Sequence, residues 1–131
     1  MLPPCLSRLV KRLWKSAYAE LDLAPSHAYL LRLVLEKPGL AQRDIVVELG
    51  LEKSTITRFI DKMVAKGYLV REKPDDAVGH EFRIYPTDAA IGLEKDLVRI
   101  EKELLSLTRA KFDDGELEHL IRQLRTLIQT L

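Results

Sequence analysis

The chain has 131 residues, of which 47% are hydrophobic and 31% are charged. That length and balance are typical of one globular domain and exclude an intrinsically disordered chain. The formal net charge of +1, from 21 basic and 20 acidic residues, lacks the basic excess of many nucleic-acid binders, so any such binding must depend on local charge and geometry.

The first two predicted helices are separated by a break at Pro25-Ser26. Apolar residues three and four positions apart, from residue 6 to residue 21, predict the first amphipathic helix. The second helix is expected to begin after Ser26, whose hydroxyl makes it a good N-cap, and to stop at Pro38-Gly39.

Two further helices follow, and each has a glycine where it should end. The third is predicted over about residues 42–49 with Gly50 as its stop, and the fourth from near Lys53 to Gly67. Their predicted inward residues are Ile45, Val46 and Leu49 in the third helix and Ile56, Phe59, Ile60, Met63 and Val64 in the fourth.

A β-hairpin is predicted after the fourth helix. Residues 68–70 and 81–85 have strand character, and residues 73–80 between them are rich in turn formers. The pattern therefore indicates two strands joined by a long loop.

Two helices are predicted for the C-terminal part. The first begins after Thr87, its N-cap, and runs to about Lys111, and Asp113 and Glu116 have the spacing of a capping box for the last helix. The fold class is therefore mainly α with a small two-stranded β wing. The predicted inward residues are Ala90, Ile91, Leu93, Leu97, Ile100, Leu104, Leu105 and Leu107, then Leu117, Leu120, Ile121, Leu124, Leu127, Ile128 and Leu131.

The order helix, tight turn, helix and hairpin is that of a winged helix-turn-helix. Such modules place the second helix in the DNA major groove. Hydroxyl side chains can bond bases or phosphates, and an arginine can contact guanine through two hydrogen bonds. On a helical wheel, the side opposite the apolar stripe of the fourth helix carries Ser54, Arg58, Asp61 and Lys62, with Thr55 and Thr57 on the flanks.

Local charge supports this interpretation modestly. Residues 51–73 contain six basic and three acidic side chains, a net charge of +3. The polar face of an isolated amphipathic helix is usually only solvated, but the glycine stop and the hairpin that follow favour DNA binding here. The basic residues are Lys53, Arg58, Lys62, Lys66, Arg71 and Lys73.

Three segments resemble the MarR family of bacterial transcriptional regulators. They are residues 40–45 (LAQRDI), 50–63 (GLEKSTITRFIDKM) and 66–71 (KGYLVR). The resemblance extends over nearly the whole chain, so it implies a single MarR-like domain, an obligate dimer and double-stranded DNA as the partner.

Within that domain, the resemblance implies a DNA-binding lobe at about residues 26–86 and a helical dimerisation frame from about residues 4–22 and 87–131. The residues themselves favour a homodimer too, because the terminal helices carry more apolar surface than a small core could cover. A two-fold dimer would present its recognition helices to half-sites about one helical turn apart.

The predicted DNA-binding residues lie in two groups. The recognition helix contributes Lys53, Ser54, Thr55, Thr57, Arg58 and Lys62, and the wing and its flanks contribute Gln42, Arg71, Lys73, His80 and Arg83.

The chain departs from the family pattern in the wing and at the start of the recognition helix. Family wings carry an arginine that enters the minor groove, whereas the loop over residues 75–80 (DDAVGH) has none. Glu52 occupies the N-cap of the recognition helix, where it favours the helix dipole but repels phosphate.

Two possible sensing sites follow from the resemblance. Family members often admit aromatic or phenolic ligands between the frame and the DNA-binding lobe, which makes Trp14, Tyr18, His27 and Tyr29 candidates for an effector pocket. Ordinary core packing is the alternative. One family branch senses peroxides through a first-helix cysteine, but Cys5 lies about one turn away from that position, so an incidental thiol is the alternative there.

Nothing in the sequence favours catalysis. The three histidines are scattered without metal-ligand spacing, and no phosphate-binding loop or nucleophile motif is present, so we expect no metal, no cofactor and no enzymatic activity. A single cysteine suits a reducing compartment, and no apolar run approaches the roughly 20 residues of a membrane span. The expected location is the cytoplasm, without membrane association.

The predicted function is that of a homodimeric transcriptional repressor that a small aromatic effector releases from DNA. The alternative is a dimeric winged-helix protein-interaction module with weak or lost DNA binding. The near-zero net charge and the wing loop without arginine favour that alternative.

Overall fold

The computed structural model describes residues 4–74 and 82–111, together with residues 115, 118, 119 and 122. For residues 4–10 and 108–111 it describes the backbone alone. The elements in chain order are α1 (Pro4–Ala19), α2 (Pro25–Glu36), β1 (Leu40–Ala41), α3 (Gln42–Leu49), α4 (Lys53–Ala65), β2 (Leu69–Glu72), β3 (Arg83–Pro86) and α5 (Asp88–Lys111).

The helix ends follow the capping residues of the sequence, with one correction. Gly50 adopts a left-handed backbone conformation (φ 66°) after α3, as its position predicts. The Oγ1 of Thr87 accepts a hydrogen bond from the backbone N–H of Ala90 at 3.3 Å, so the predicted N-cap of α5 is confirmed. However, α2 begins at Pro25, two residues earlier than predicted, because proline suits a first helical turn, where its missing N–H costs nothing.

The sheet has three antiparallel strands in the order β1-β3-β2. The predicted hairpin supplies β2 and β3, and the pair Leu40↔Ile84 adds the short strand β1 on the other side of β3. Gly39 leads into β1 at φ 89°, and its carbonyl accepts a hydrogen bond from Nη1 of Arg83 at 3.0 Å. The small sheet therefore connects the wing to the segment before α3.

The chain divides into two compact units, and the second consists of Ser26–Lys95. In this unit α4 packs against α3 and β2. Ile45, Ile56, Ile60 and Met63 are fully buried, whereas Val46, Leu49, Phe59 and Val64 of the predicted inward faces are half-buried. The buried stripe of α4 leaves its opposite, polar side exposed.

The first unit consists of Met1–Pro25 and Asp96–Leu131. Leu97, Ile100 and Leu104 form the buried stripe of α5 here. On the exposed side, Nη2 of Arg99 donates to a carboxylate oxygen of Glu20 at 2.7 Å, and the Arg99 guanidinium also contacts Asp96 and Glu103. The domain boundaries drawn from the sequence stay a prediction.

Three predicted inward residues of α5 are exposed instead. Ile91, Leu105 and Leu107 are 52%, 42% and 47% exposed. The apolar face of α5 is wider than the surface that the described part of this chain buries, so helical periodicity alone assigned too many residues to the core.

Several predictions fall outside the described residues. These concern the Cys5 thiol, His80 with the wing loop, and the capping box of Asp113 and Glu116. Of the predicted last helix, Gly115, Glu118, His119 and Arg122 are described, and all four are helical. No helix in the described part of the chain is long and apolar enough to cross a membrane.

Candidate nucleic-acid interface

The polar side of α4 presents cations and hydroxyls to solvent. Lys53, Ser54, Arg58 and Lys62 are exposed, and Thr55 and Thr57 are half-buried on the flanks. Because Ile56 and Ile60 on the opposite side are fully buried, the helix cannot rotate without exposing its apolar stripe. This orientation agrees with the helical wheel drawn from the sequence.

Three of the cations on this surface are available to an outside partner. The side chains of Lys53, Arg58 and Lys62 make no hydrogen bond or ion pair with any residue that the structure describes. A charged side chain without an internal partner needs no bond to be broken before it meets a phosphate or a base. Lys73, after β2, is also exposed.

Asp61, the carboxylate on the same side of α4, is paired. The guanidinium Nη2 of Arg71 donates a hydrogen bond to Oδ1 of Asp61 and forms an ion pair with it. This contact links β2 to the polar side of α4. It also offsets the negative charge of Asp61, which would otherwise repel a phosphate group. Arg71, predicted from the sequence to contact DNA, is therefore already bonded within the protein.

Gln42 and Thr57, two other predicted contacts, bond to each other. Nε2 of Gln42 donates to Oγ1 of Thr57 at 2.6 Å, and the Thr57 hydroxyl donates to the carbonyl oxygen of Lys53 at 2.9 Å. Arg83, predicted as a wing contact, donates a hydrogen bond to the carbonyl oxygen of Gly39, and its contact with DNA stays a prediction. Sequence reasoning missed these pairings because their partners lie on different elements, and no periodicity joins them.

The four residues of the predicted effector pocket lie in different units. Trp14 and Tyr18 belong to the first unit, and His27 and Tyr29 belong to the second. His27 is buried on α2 and meets the ring of Phe59 edge-on, with ring centroids 4.9 Å apart, whereas Tyr29 is exposed. The His27 contact is one of core packing, and the effector pocket stays a prediction. Among the described residues, no cluster of three or more His, Cys, Asp or Glu side chains could hold a metal.

Burial lowers the pKa of His27 below its ordinary value of 6.5, and the positive charges of Lys62 and Lys66 on α4 lower it further. The folded protein therefore binds fewer protons at this site than the unfolded chain does. Its contribution to stability is complete above pH 6.5 and is lost as the pH falls below 6.5 toward the folded-state pKa.

We accordingly expect the free energy of unfolding to fall as the pH is lowered from 7.5 to 5.5, and His27→Leu to reduce that fall. Urea unfolding followed by circular dichroism at both pH values measures the effect. His119→Gln, which replaces an exposed histidine of the other unit, serves as the control for the loss of a histidine. An equal loss of stability in the parent and in His27→Leu would contradict the assignment.

Residues 21–77 match the sequence model of the MarR family. None of the curated proteins matches the chain. The sequence match covers α2, β1, α3, α4 and β2, and it therefore includes the polar side of α4 described above.

Solved structures extend the likeness over nearly the whole chain. A MarR transcriptional regulator from Methanosarcina mazei Go1 is 21% identical, with a TM-score of 0.74 over 95% of this chain and 89% of that one. The S. aureus MepR–DNA complex is 18% identical, with a TM-score of 0.80 over 97% of this chain and 93% of that one. PcaV from Streptomyces coelicolor, in complex with its natural ligand, is 18% identical, with a TM-score of 0.78 over 95% and 90%. At these identities the likeness is one of fold.

Proposed function

Because the chain carries a MarR-family domain in residues 21–77 and has the winged-helix fold of MarR-family transcriptional regulators, we propose that it is a sequence-specific DNA-binding regulator. It acts by binding and not as an enzyme, and it needs no cofactor. Double-stranded DNA is its partner, and the cytoplasm is its location.

One observation carries this proposal. Opposite its buried stripe, α4 exposes Lys53, Arg58 and Lys62 without partners among the described residues, while Arg71 offsets the charge of Asp61. A helix about 10–12 Å across fits a major groove about 12 Å wide. The surface that would enter the groove is therefore positive even though the whole chain is almost neutral. The remaining predicted contacts on α4 are the hydroxyls of Ser54, Thr55 and Thr57.

We propose that the protein works as a homodimer. Leu105 and Leu107 of α5 and Leu13 of α1, all in the first unit, are at least 40% exposed in the single chain. Exposed apolar side chains that form a contiguous patch mark a site of protein–protein contact. A second copy related by two-fold symmetry would cover them and would present two α4 helices to two half-sites of one operator.

We further propose that the protein is a repressor and that a small aromatic molecule releases it. PcaV, which shares the fold, was solved with its natural ligand. The effector must bind the DNA-free arrangement more tightly than the DNA-bound one, because a ligand with equal affinity for both shifts nothing.

Fluorescence polarisation on the DNA upstream of the protein's own gene tests the function, with a scrambled duplex as the control and a series of salt concentrations. We expect a preference for the upstream DNA of at least about a thousandfold and an affinity that falls steeply as salt rises. Light scattering on the same sample should give twice the monomer mass of 15.0 kDa.

A dimeric winged-helix module that binds another protein is the second candidate. The net charge of +1 and the absence of arginine from residues 75–80 favour it. Weak and equal binding to both duplexes would support this candidate and contradict sequence-specific regulation.

A further inference from the structure

Two hydrogen bonds in series connect the start of α3 to the first turns of α4. Gln42 is the first residue of α3, and its Nε2 lies 2.6 Å from Oγ1 of Thr57. The same Oγ1 lies 2.9 Å from the backbone oxygen of Lys53, one turn earlier in α4. Both side chains were predicted from the sequence to contact DNA directly.

The direction of both bonds follows from the number of protons available. A threonine hydroxyl has one hydrogen, and the Lys53 carbonyl can only accept, so the hydroxyl must donate that hydrogen to the carbonyl. Oγ1 of Thr57 is then an acceptor toward Gln42, and only the amide nitrogen of Gln42 can face it. The hydroxyl of Thr57 is thus used in both directions, and one orientation of the Gln42 carboxamide is selected.

The rest of the Gln42 carboxamide remains available. Its Oε1 and its second N–H have no partner among the described residues, and no side-chain nitrogen or oxygen of those residues is both buried and without a hydrogen bond. The unused oxygen of Gln42 therefore keeps contact with solvent. A half-buried amide with one N–H bonded is restrained in direction, and its second N–H has no partner among the described residues.

Helix-turn-helix geometry indicates what it would meet. The second helix of the motif enters the groove, while the first crosses the sugar–phosphate backbone. Gln42, at the N-terminus of the first of these helices, is placed for a phosphate oxygen, which would accept its second N–H. Contacts of this kind set the position and register of a protein on the duplex without reading the sequence.

We propose that Thr57 is a positioning residue and not a base-reading one: it holds the Gln42 carboxamide so that Gln42 donates a hydrogen bond to a DNA phosphate. The proposal rests on the DNA-binding function proposed above and assigns different roles to two neighbouring polar residues. Arg58, one position further along α4, has no such internal bond and is left to read bases.

A double-mutant cycle tests the proposal on the full chain. Thr57→Val keeps the branched shape but removes the hydroxyl, and Gln42→Ala removes the amide. We expect each to weaken binding to the upstream duplex and to the scrambled duplex by the same factor, about tenfold, so that the preference between them is unchanged. The double variant should be no weaker than either single variant, because both remove the same contact.

Thr57→Ser is the matched control, since serine can make both hydrogen bonds, and it should bind within about twofold of the parent. Urea midpoints of all four variants identify any loss of folding. A loss of folding would not be expected to give both normal binding by Thr57→Ser and non-additive losses in the double variant. Unchanged binding by Thr57→Val would overturn the proposal, as would multiplicative losses near a hundredfold in the double variant. A change in sequence preference with Thr57→Val alone would overturn it also, because it would make Thr57 a base reader. A parent that binds both duplexes weakly and equally would instead contradict the proposed function itself.

Discussion

Arg58→Ala is expected to weaken binding to the upstream DNA by about 1–3 kcal/mol, or roughly 5- to 150-fold, without changing the mass of the protein in solution. Arg58 lies in the second turn of α4, is exposed, and makes no hydrogen bond or ion pair with the described residues. A guanidinium in that position can form two hydrogen bonds with the O6 and N7 of one guanine. Its removal should therefore reduce the preference for the upstream duplex over the scrambled one.

Fluorescence polarisation on both duplexes measures this change. Arg12→Ala is the matched control, because Arg12 is an exposed arginine of α1 and belongs to the other unit. It removes the same charge from the chain and should leave the preference intact. Equal binding by Arg58→Ala and the parent would remove Arg58 from the interface. An equal loss in both variants would show that only net charge matters.

Ile60→Ala is expected to lower the free energy of unfolding by about 2–5 kcal/mol. Ile60 is fully buried in α4, which packs against α3 and β2, so the truncation leaves a cavity in addition to losing apolar burial. Because the free energy of unfolding of a domain is only about 5–15 kcal/mol, this loss is a large fraction of the total stability. Urea unfolding at 25 °C, followed by circular dichroism, measures the change.

Ile91→Ala provides the control for that experiment. Ile91 is 52% exposed on α5, so the same substitution there creates no cavity. Its effect should stay within about 0.5 kcal/mol, and any gain in helix propensity from alanine applies to both variants. A loss at Ile91 as large as that at Ile60 would mean that Ile91 is covered in solution.

The helices and most of their ends were predictable because the causes are local. The amphipathic period of α4 and the left-handed glycine at Gly50 depend on residues within a few positions, and so does the cap at Thr87. The MarR resemblance was carried by three segments, residues 40–45, 50–63 and 66–71. The second and third segments lie within α4, β2 and the turns before them, and the first spans β1 and the start of α3. The family match over residues 21–77 confirms that resemblance.

Long-range contacts were not predictable in this way. β1 is two residues long and exists because β3 pairs with it, and Asp61 is bonded because β2 brings Arg71 to it. The exposure of Leu105 and Leu107 likewise depends on what surrounds α5 and not on their spacing.

The sequence by itself therefore determined the order and type of most elements, the polar side of α4 and the resemblance that the MarR match over residues 21–77 bears out. It did so because helical period, caps and motif residues act over a few positions. Only the tertiary structure decided which of the polar residues are bonded within the protein and which are available to an outside partner. Arg71 and Arg83 are bonded within the protein and Thr57 holds Gln42, while Arg58 has no partner among the described residues. The physical reason is that a hydrogen bond between two elements depends on how they pack, and packing is set by the whole core.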